Sequence, residues 1–200
     1  MGAVRTLVER PCRTVEAGVE LTLLVLSVSP LGLAAVDQAS GAIVRASTEL
    51  LDGLILRPYD VVSVSLAEDD GPFDRTQPEF VALAAAPRPL HRLTPRRAER
   101  WLRPVLHPEW THVLGFAGPA IPFWELDGSR PSVAVIAARA AVGVDDEGLL
   151  RCRFMWRTLL HDLPMTVHRD TPLPREASRV VVALTAPVEG HCYKVVTGVL

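Results

Sequence analysis

Lysine is almost absent from this chain of 200 residues: Lys194 is the single lysine, and arginine supplies every other permanently basic side chain. The formal net charge of −2 excludes a general attraction to polyanions, so nucleic-acid binding would need locally segregated charge. Cysteine is also scarce. The three cysteines, Cys12, Cys152 and Cys192, are widely spaced and odd in number, which favours reduced, buried thiols over a disulfide framework.

A long uninterrupted apolar run is missing as well. The longest apolar stretch, residues 21–36, is interrupted by serine, proline and glycine, which makes it too short and too broken for a membrane span. No charged segment leads directly into an apolar block with a cleavage site, so we expect no signal peptide. We therefore expect a soluble, cytoplasmic protein with no membrane partner. Since 48% of the residues are hydrophobic, global disorder is excluded.

Motifs for catalysis, metal binding and phosphate binding are lacking. No glycine-rich loop is present, and the pairs His161-Asp162 and His191-Cys192 are sequence neighbours. Neighbours on a strand point to opposite faces, so neither pair can chelate a metal as a unit. We expect no catalytic residue, no metal and no cofactor. A small metal-independent hydrolase using His161 and His191 is the remotest alternative.

Short apolar runs separated by turn residues fill most of the chain and predict strands. We place strands at residues 21–29, 42–46, 53–56, 61–66, 131–141, 149–157 and 159–167, and a hairpin from residue 180 to Leu200. One helix is predicted over residues 94–102, because Thr94 suits the N-cap, Pro95 suits the first turn and Pro104 ends the pattern.

This pattern predicts an all-β chain made of two small fused OB-like or SH3-like β-barrels joined by a linking helix. The predicted parts are an N-terminal appendage (1–20), a first barrel (21–90), a helical Pro/Gly linker (91–118) and a second barrel (119–200). We leave open that the C-terminal strand pairs back with the first barrel.

Four segments occur in a characteristic order: "GLAAVDQASGAIVRAS" (residues 32–47), "RPYDVVSVSL" (57–66), "QPEFVAL" (77–83) and "VVVALTAPVEGHCYKVVTGVL" (180–200). In this order the chain resembles the dual OB-containing domain, a prokaryotic family, over residues 20–200. The resemblance implies two OB-like barrels and a nucleic-acid-binding role in bacterial conflict or defence systems. It also implies a separate effector protein as a partner.

The strongest functional candidate is the arginine-rich segment from residue 88 to 103. It contains Arg88, Arg92, Arg96, Arg97, Arg100 and Arg103 against one acid, Glu99. The helical spacing of three of them predicts a cationic stripe that can follow phosphates, with Trp101 as a stacking surface. The alternative is a solvated helix with Trp101 in the core and its arginines paired with the acids of residues 68–74.

A second candidate surface lies on the strand over residues 149–157. Arg151, Arg153 and Arg157 alternate with Phe154 and Trp156, so one face is cationic and the other apolar. An open cationic sheet face suits single strands, whereas aromatics on the other face suit a core.

Two further features complete the candidates. Lys194, beside Tyr193 near the end of the chain, suits either a phosphate contact or ordinary exposure. The aromatic residues Phe116, Phe123 and Trp124 lie in a glycine- and proline-rich loop, where they form either a ligand contact or a plug over the barrel junction.

From these candidates we predict a non-catalytic module that binds single-stranded nucleic acid or RNA. The main alternative is a protein-interaction or scaffold subunit of a bacterial complex, whose arginine faces meet acidic partners.

Overall fold

A computed structural model describes residues 15–51, 53–69, 73–168 and 173–200 and confirms the all-β class. The first half contains β1 (Glu20–Ser29), β2 (Gly32–Asp37), β3 (Ile43–Ala46), β4 (Asp60–Ser65), β5 (Phe80–Val81), β6 (Arg88–Arg92) and the helix α1 (Pro95–Leu102). The second half contains β7 (Ala120–Pro122), β8 (Val133–Ile136), β9 (Ala140–Val144), β10 (Leu150–Trp156), β11 (Leu159–Pro164), β12 (Glu176–Ala177), β13 (Val180–Leu184) and β14 (His191–Val199).

The strands of the first half curl into a closed barrel. β1 pairs with β2 and β4, β2 pairs with β3, and β3 runs parallel to β5. The barrel is closed by hydrogen bonds between the end of β4 and the residues that follow β5. The Ala67 amide donates to the Ala82 carbonyl at 2.9 Å, and the Ala84 amide donates to the Ser65 carbonyl at 2.8 Å. The order around the barrel is therefore β1-β2-β3-β5-β4 and back to β1, which is the strand order of an OB fold.

The second half repeats this order, with β8 and β9 together taking the place of β1. β9 pairs with β10, β10 with β11, β14 with β13, and β13 with β8. A parallel bridge between Met165 and Val196 joins the continuation of β11 to β14. The short strands β7 and β12 extend the two sheets at their edges. Both halves are therefore OB-like barrels.

Several segments differ from the sequence prediction, and β2, β5, β7 and β12 lie outside the strands predicted above. Residues 53–56 form a loop rather than a strand, and Gly53 has a φ of +77° that a regular strand does not allow. The strand predicted over 131–141 is divided into β8 and β9 because its two ends pair with different sheets. Residues 88–92 form β6, an edge strand on β4 that was not predicted and that crosses the expected boundary between the first barrel and the linker.

The bounds of the predicted parts are untested and stay a prediction. Residues 1–14 of the predicted appendage lie outside the described residues, and Glu20 already belongs to β1. The described part of the chain contains no helix with the length and apolar character needed to cross a membrane.

The C-terminal strand β14 pairs with β13 and β7 of its own half. It contacts the first barrel through side chains and not through backbone hydrogen bonds between strands: Ser27 Oγ lies 2.9 Å from Thr197 Oγ1. A Cβ atom on Gly198 would lie 2.7 Å from the Cβ of Ser27, so the glycine permits this close approach. The backbone groups of β14 that face its two neighbours are already paired, which leaves the first barrel only its side-chain face.

Helix α1 confirms the predicted helix, its cap and its end. The Arg97 amide donates to Thr94 Oγ1 at 3.4 Å, and Pro95 occupies the first turn. Ala98 and Leu102 are buried and enter an apolar cluster shared by both barrels. The other buried members of this cluster are Leu24, Leu26, Ala34, Val36, Val61, Val133, Val135, Val181 and Ala183. The helix is thus fixed by the junction between the barrels.

A polar network crosses the same junction. Arg45, of which 3% is exposed, donates to the Leu31 carbonyl at 2.9 Å, the Leu184 carbonyl at 2.9 Å and Ser132 Oγ at 3.0 Å. The Ser132 amide and hydroxyl donate to the two carboxylate oxygens of buried Glu79. Burial raises the pKa of Glu79 and lowers that of Arg45. These contacts join β3 and the residue before β5 in the first barrel to the entrance of β8 and to β13 in the second.

Candidate nucleic-acid interface

The six arginines of residues 88–103 lie on β6, on α1 and on the short 3-10 turn that follows it, and we call them the arginine band. All six are exposed: Arg88, Arg92, Arg96, Arg97, Arg100 and Arg103. The helical residues Arg96 and Arg100 are one turn apart on α1, and Arg103 continues in helical geometry at its C-cap. The spacing read from the sequence therefore produces a cationic stripe.

Ion pairing neutralises little of this band. Arg88 lies 3.9 Å from Glu20 and Arg92 lies 3.9 Å from Asp60, and both arginine side chains are more than half exposed. Exposed pairs at that distance contribute about 0–1 kcal/mol. The other four arginines form no ion pair with any acid among the described residues.

The single acid of the segment, Glu99, is turned toward the second barrel. Arg179, directly before β13, donates to Glu99 Oε2 at 2.6 Å, which ties α1 to that barrel. Because the Glu99 carboxylate is occupied by a cation outside the band, it does not offset the charge of the stripe.

Trp101 lies between the two positions that the sequence left open, a stacking surface and a core residue. Its indole N–H donates to the Gln38 carbonyl at 3.2 Å and the side chain is half-buried. The Arg100 guanidinium lies 3.6 Å from the centre of the Trp101 ring. A base can stack on this face of the indole only if Arg100 moves away.

The second candidate surface is neutralised by an acid. Asp162 lies opposite Arg153 on β11 and accepts from Arg151 Nε at 2.9 Å and from Arg153 Nε at 2.8 Å. The hydrogen bond from Arg153 is the main cause that lowers the pKa of Asp162, so this carboxylate stays charged. Two arginines thus share one carboxylate, so this surface has less net positive charge than the sequence indicates.

The alternation of buried and exposed side chains along β10 is as predicted except at the end of the strand. Phe154 and Trp156 are buried, and Arg153 is exposed on the opposite face. Arg157 is not on the strand face: it lies in the turn between β10 and β11, with a φ of +57°. The hairpin turns one residue earlier than the apolar pattern indicates.

Lys194 is buried rather than exposed, and this corrects the prediction of a phosphate contact. Only 1% of the residue is accessible, and its ammonium donates to the Phe116 carbonyl. Burial lowers its pKa to about 8. Lys194 shares the inward face of β14 with Cys192 and Val196, which are both buried, and this alternation is readable in the sequence.

The histidines of the hydrolase alternative have different surroundings. His161 is buried and stacked on Phe154, with ring centres 5.1 Å apart, and burial lowers its pKa. His191 is half-buried beside the exposed ring of Trp124. Burial raises the pKa of the Cys192 thiol. Within the described ranges, no three His, Cys, Asp or Glu side chains are grouped so that they could hold a metal ion.

An open cavity of about 460 Å³ lies between the bend that separates β8 from β9 and the segment leading into β13. Its two arginines are both paired: Arg139 contacts Glu176 at 2.7 Å, and Arg179 contacts Glu99. The cavity therefore has no excess positive charge with which to hold an anion.

A row of aromatic rings at the start of β14 brings together residues that are distant in sequence. Phe123, Trp124, His191 and Tyr193 follow one another with ring centres 5.5, 6.0 and 6.5 Å apart. The sequence marked Phe123 and Trp124 as a loop cluster, but the pairing of β14 with β7 is what places His191 and Tyr193 beside them.

Comparisons with known proteins add a limited finding. No protein-family model matches the chain, and no curated protein matches its sequence. Among solved structures, the chain is similar to the crystal structure of the p204 HINb domain, with 12% identity and a TM-score of 0.33 over 90% of this chain and 97% of that domain. A TM-score of this size establishes no shared fold. The OB-like assignment above depends on the strand order alone.

Proposed function

We propose that this protein is a non-catalytic nucleic-acid-binding module and that it binds single-stranded nucleic acid or RNA through the arginine band. The observation that carries the proposal is six exposed arginines on one strand–helix unit, four of them without an ion-pair partner among the described residues. Arginine side chains in such a row can neutralise successive phosphates and release their counterions.

The anchoring of the band supports this role. Ala98 and Leu102 are buried in the shared core, and the contact between Glu99 and Arg179 holds the helix from its other side. A fixed helix loses little conformational entropy when a ligand binds to its outer face. The net charge of −2 limits general attraction, so the local band has to supply the affinity.

The test is binding of a labelled single-stranded oligonucleotide of about 16 nucleotides, the upper range for one OB fold, followed by fluorescence anisotropy. We expect affinity to fall steeply as salt rises. Charge reversal in Arg96→Glu/Arg100→Glu should weaken binding across sequences without changing sequence preference.

The matched control is Arg57→Glu/Arg175→Glu, which makes the same change in net charge at two exposed arginines outside the band. Equal loss in both double variants would mean that only the overall charge matters, and the proposal would be wrong. Absence of binding at low salt would refute it as well. Binding of an acidic protein to the band, with no oligonucleotide binding, would support the scaffold alternative.

A separate effector partner and a setting in bacterial defence remain predictions from the resemblance. Copurification of an effector with the intact protein, but not with the Arg96→Glu/Arg100→Glu variant, would connect such a partner to the band.

A further inference from the structure

Two large aromatic rings of the aromatic row are accessible to solvent, and the proposed function does not involve them. Trp124 is 60% exposed, and Tyr193 is 38% exposed, although large aromatic side chains bury much of their area in most folds. The indole of Trp124 passes close to Gly190, where a Cβ atom would lie 3.4 Å from it. Exposed tryptophan and tyrosine rings are enriched among the residues that dominate binding surfaces.

One ring of this row already carries a guanidinium. The Arg75 guanidinium lies 5.8 Å from the centre of the Phe123 ring, within the range of a cation–π contact. Trp124 is the next ring, and indole is the best cation–π acceptor among the side chains. Over the described residues, no guanidinium or ammonium lies over the Trp124 ring.

The charges next to Trp124 are negative. Glu125 follows it in the same 3-10 turn, and Glu189 immediately precedes Gly190, close to which the indole passes. Both carboxylates are exposed and neither forms an ion pair with a described residue. The two unpaired carboxylates outnumber the one guanidinium of the row, that of Arg75 on the neighbouring Phe123, so this end of the row favours a basic side chain over a phosphate.

We propose that Trp124, with Glu125 and Glu189, forms a docking site for an arginine side chain on a basic segment of a partner protein. The guanidinium would lie on the free face of the indole, as Arg75 does on Phe123, and its N–H groups would be directed to the carboxylates. Arginine suits the site better than lysine, because its planar group both stacks on an aromatic face and pairs with carboxylates.

The test uses a labelled short peptide of arginines, with fluorescence anisotropy as the readout. Its control is the same peptide with citrulline in place of arginine, which keeps the shape and removes the charge. We expect the arginine peptide to bind and the citrulline peptide not to bind. Trp124→Ala should weaken binding by about two- to five-fold, the size of an exposed cation–π contact.

Trp110→Ala is the matched variant, because Trp110 is 58% exposed and lies outside the row. It should bind the peptide as the parent protein does. Glu125→Gln/Glu189→Gln should weaken binding and reduce its dependence on salt. Thermal melting of both tryptophan variants checks that any loss of peptide binding does not reflect unfolding.

Equal affinity in the Trp124→Ala and Trp110→Ala variants would overturn this proposal, as would equal binding of the citrulline peptide. A third outcome would also overturn it: Trp124→Ala weakens binding of a single-stranded oligonucleotide but leaves binding of the arginine peptide unchanged. The row would then be a base-stacking surface. The peptide measurements do not involve the arginine band, so this site and the proposed function can fail separately.

Discussion

Replacement of Arg45 by methionine tests the polar network that joins the two barrels. The substitution keeps most of the side-chain volume but removes the donors to the Leu31 and Leu184 carbonyls and to Ser132 Oγ. It also leaves the buried Glu79 carboxylate without its nearby cation. Each buried acceptor left without its donor costs about 1–3 kcal/mol, so the loss of donors to three such groups should cost about 3–5 kcal/mol after relaxation.

The corresponding change in melting temperature follows from the size of the chain. A protein of this length loses about 2–4 °C for each kcal/mol, so Arg45→Met should lower the Tm by about 6–20 °C. Differential scanning calorimetry measures the change. Urea denaturation with an unchanged m-value would show that stability was altered and that the denatured state was not.

The double variant Arg45→Met/Glu79→Gln separates lost charge compensation from lost packing. Glutamine keeps an acceptor for the Ser132 amide and removes the charge that methionine leaves uncompensated. The double variant should therefore cost about 1–3 kcal/mol less than the sum of the two single variants. The reasoning would be refuted if the loss of stability in the double variant equalled the sum of the losses in the two single variants. A loss below about 1 kcal/mol for Arg45→Met alone would refute it as well.

Three further results are expected. Gly198→Ala should lower stability by about 1–3 kcal/mol in thermal melts, because the new Cβ would be forced to 2.7 Å from a side-chain carbon of the first barrel. Gly143→Ala is the control and should leave stability unchanged, since a Cβ there would have no atom of the described residues within 4 Å apart from its chain neighbours. The lowered pKa of Lys194 means that above about pH 8 the unfolded chain binds a proton that the folded protein does not, whereas the pKa of Cys152, raised to about 11, has the opposite effect above about pH 9. Stability in urea should therefore rise between about pH 8 and 9, and Lys194→Met should abolish that rise. Arg96→Glu/Arg100→Glu should reduce the slope of log affinity against log salt by about 1.4, and an unchanged slope would mean that neither arginine contacts a phosphate.

Local signals in the sequence were sufficient for some elements. The cap at Thr94 and the prolines on either side predicted α1 because they act within one turn of the chain. The final hairpin followed from two apolar runs around a turn, and β13 and β14 confirm it. The interior position of Lys194 was not predicted, although its alternation with two buried residues of β14 is visible in the sequence.

Features that depend on distant contacts could not be predicted in this way. Arg45, Glu79 and Ser132 are far apart in sequence and meet only when the two barrels pack together. The pairing of Arg153 with Asp162 requires the register of the hairpin between β10 and β11. The helical part of the arginine band needed no such information, because the spacing of Arg96, Arg100 and Arg103 places them on one face, whereas the band's members on β6 are positioned by the pairing of β6 with β4.

The way the barrels pack determines which surfaces remain for a ligand. OB folds commonly bind oligonucleotides across their second and third strands. In the first barrel β2 is fully buried, and its Ala34 and Val36 side chains belong to the cluster shared with α1 and the second barrel. In the second barrel the corresponding strands, β10 and β11, stay exposed, but Asp162 neutralises their arginines. The arginine band lies instead on β6 and α1, and α1 packs over the covered face of the first barrel. This is the physical reason why we propose that a nucleic-acid strand contacts the arginine band.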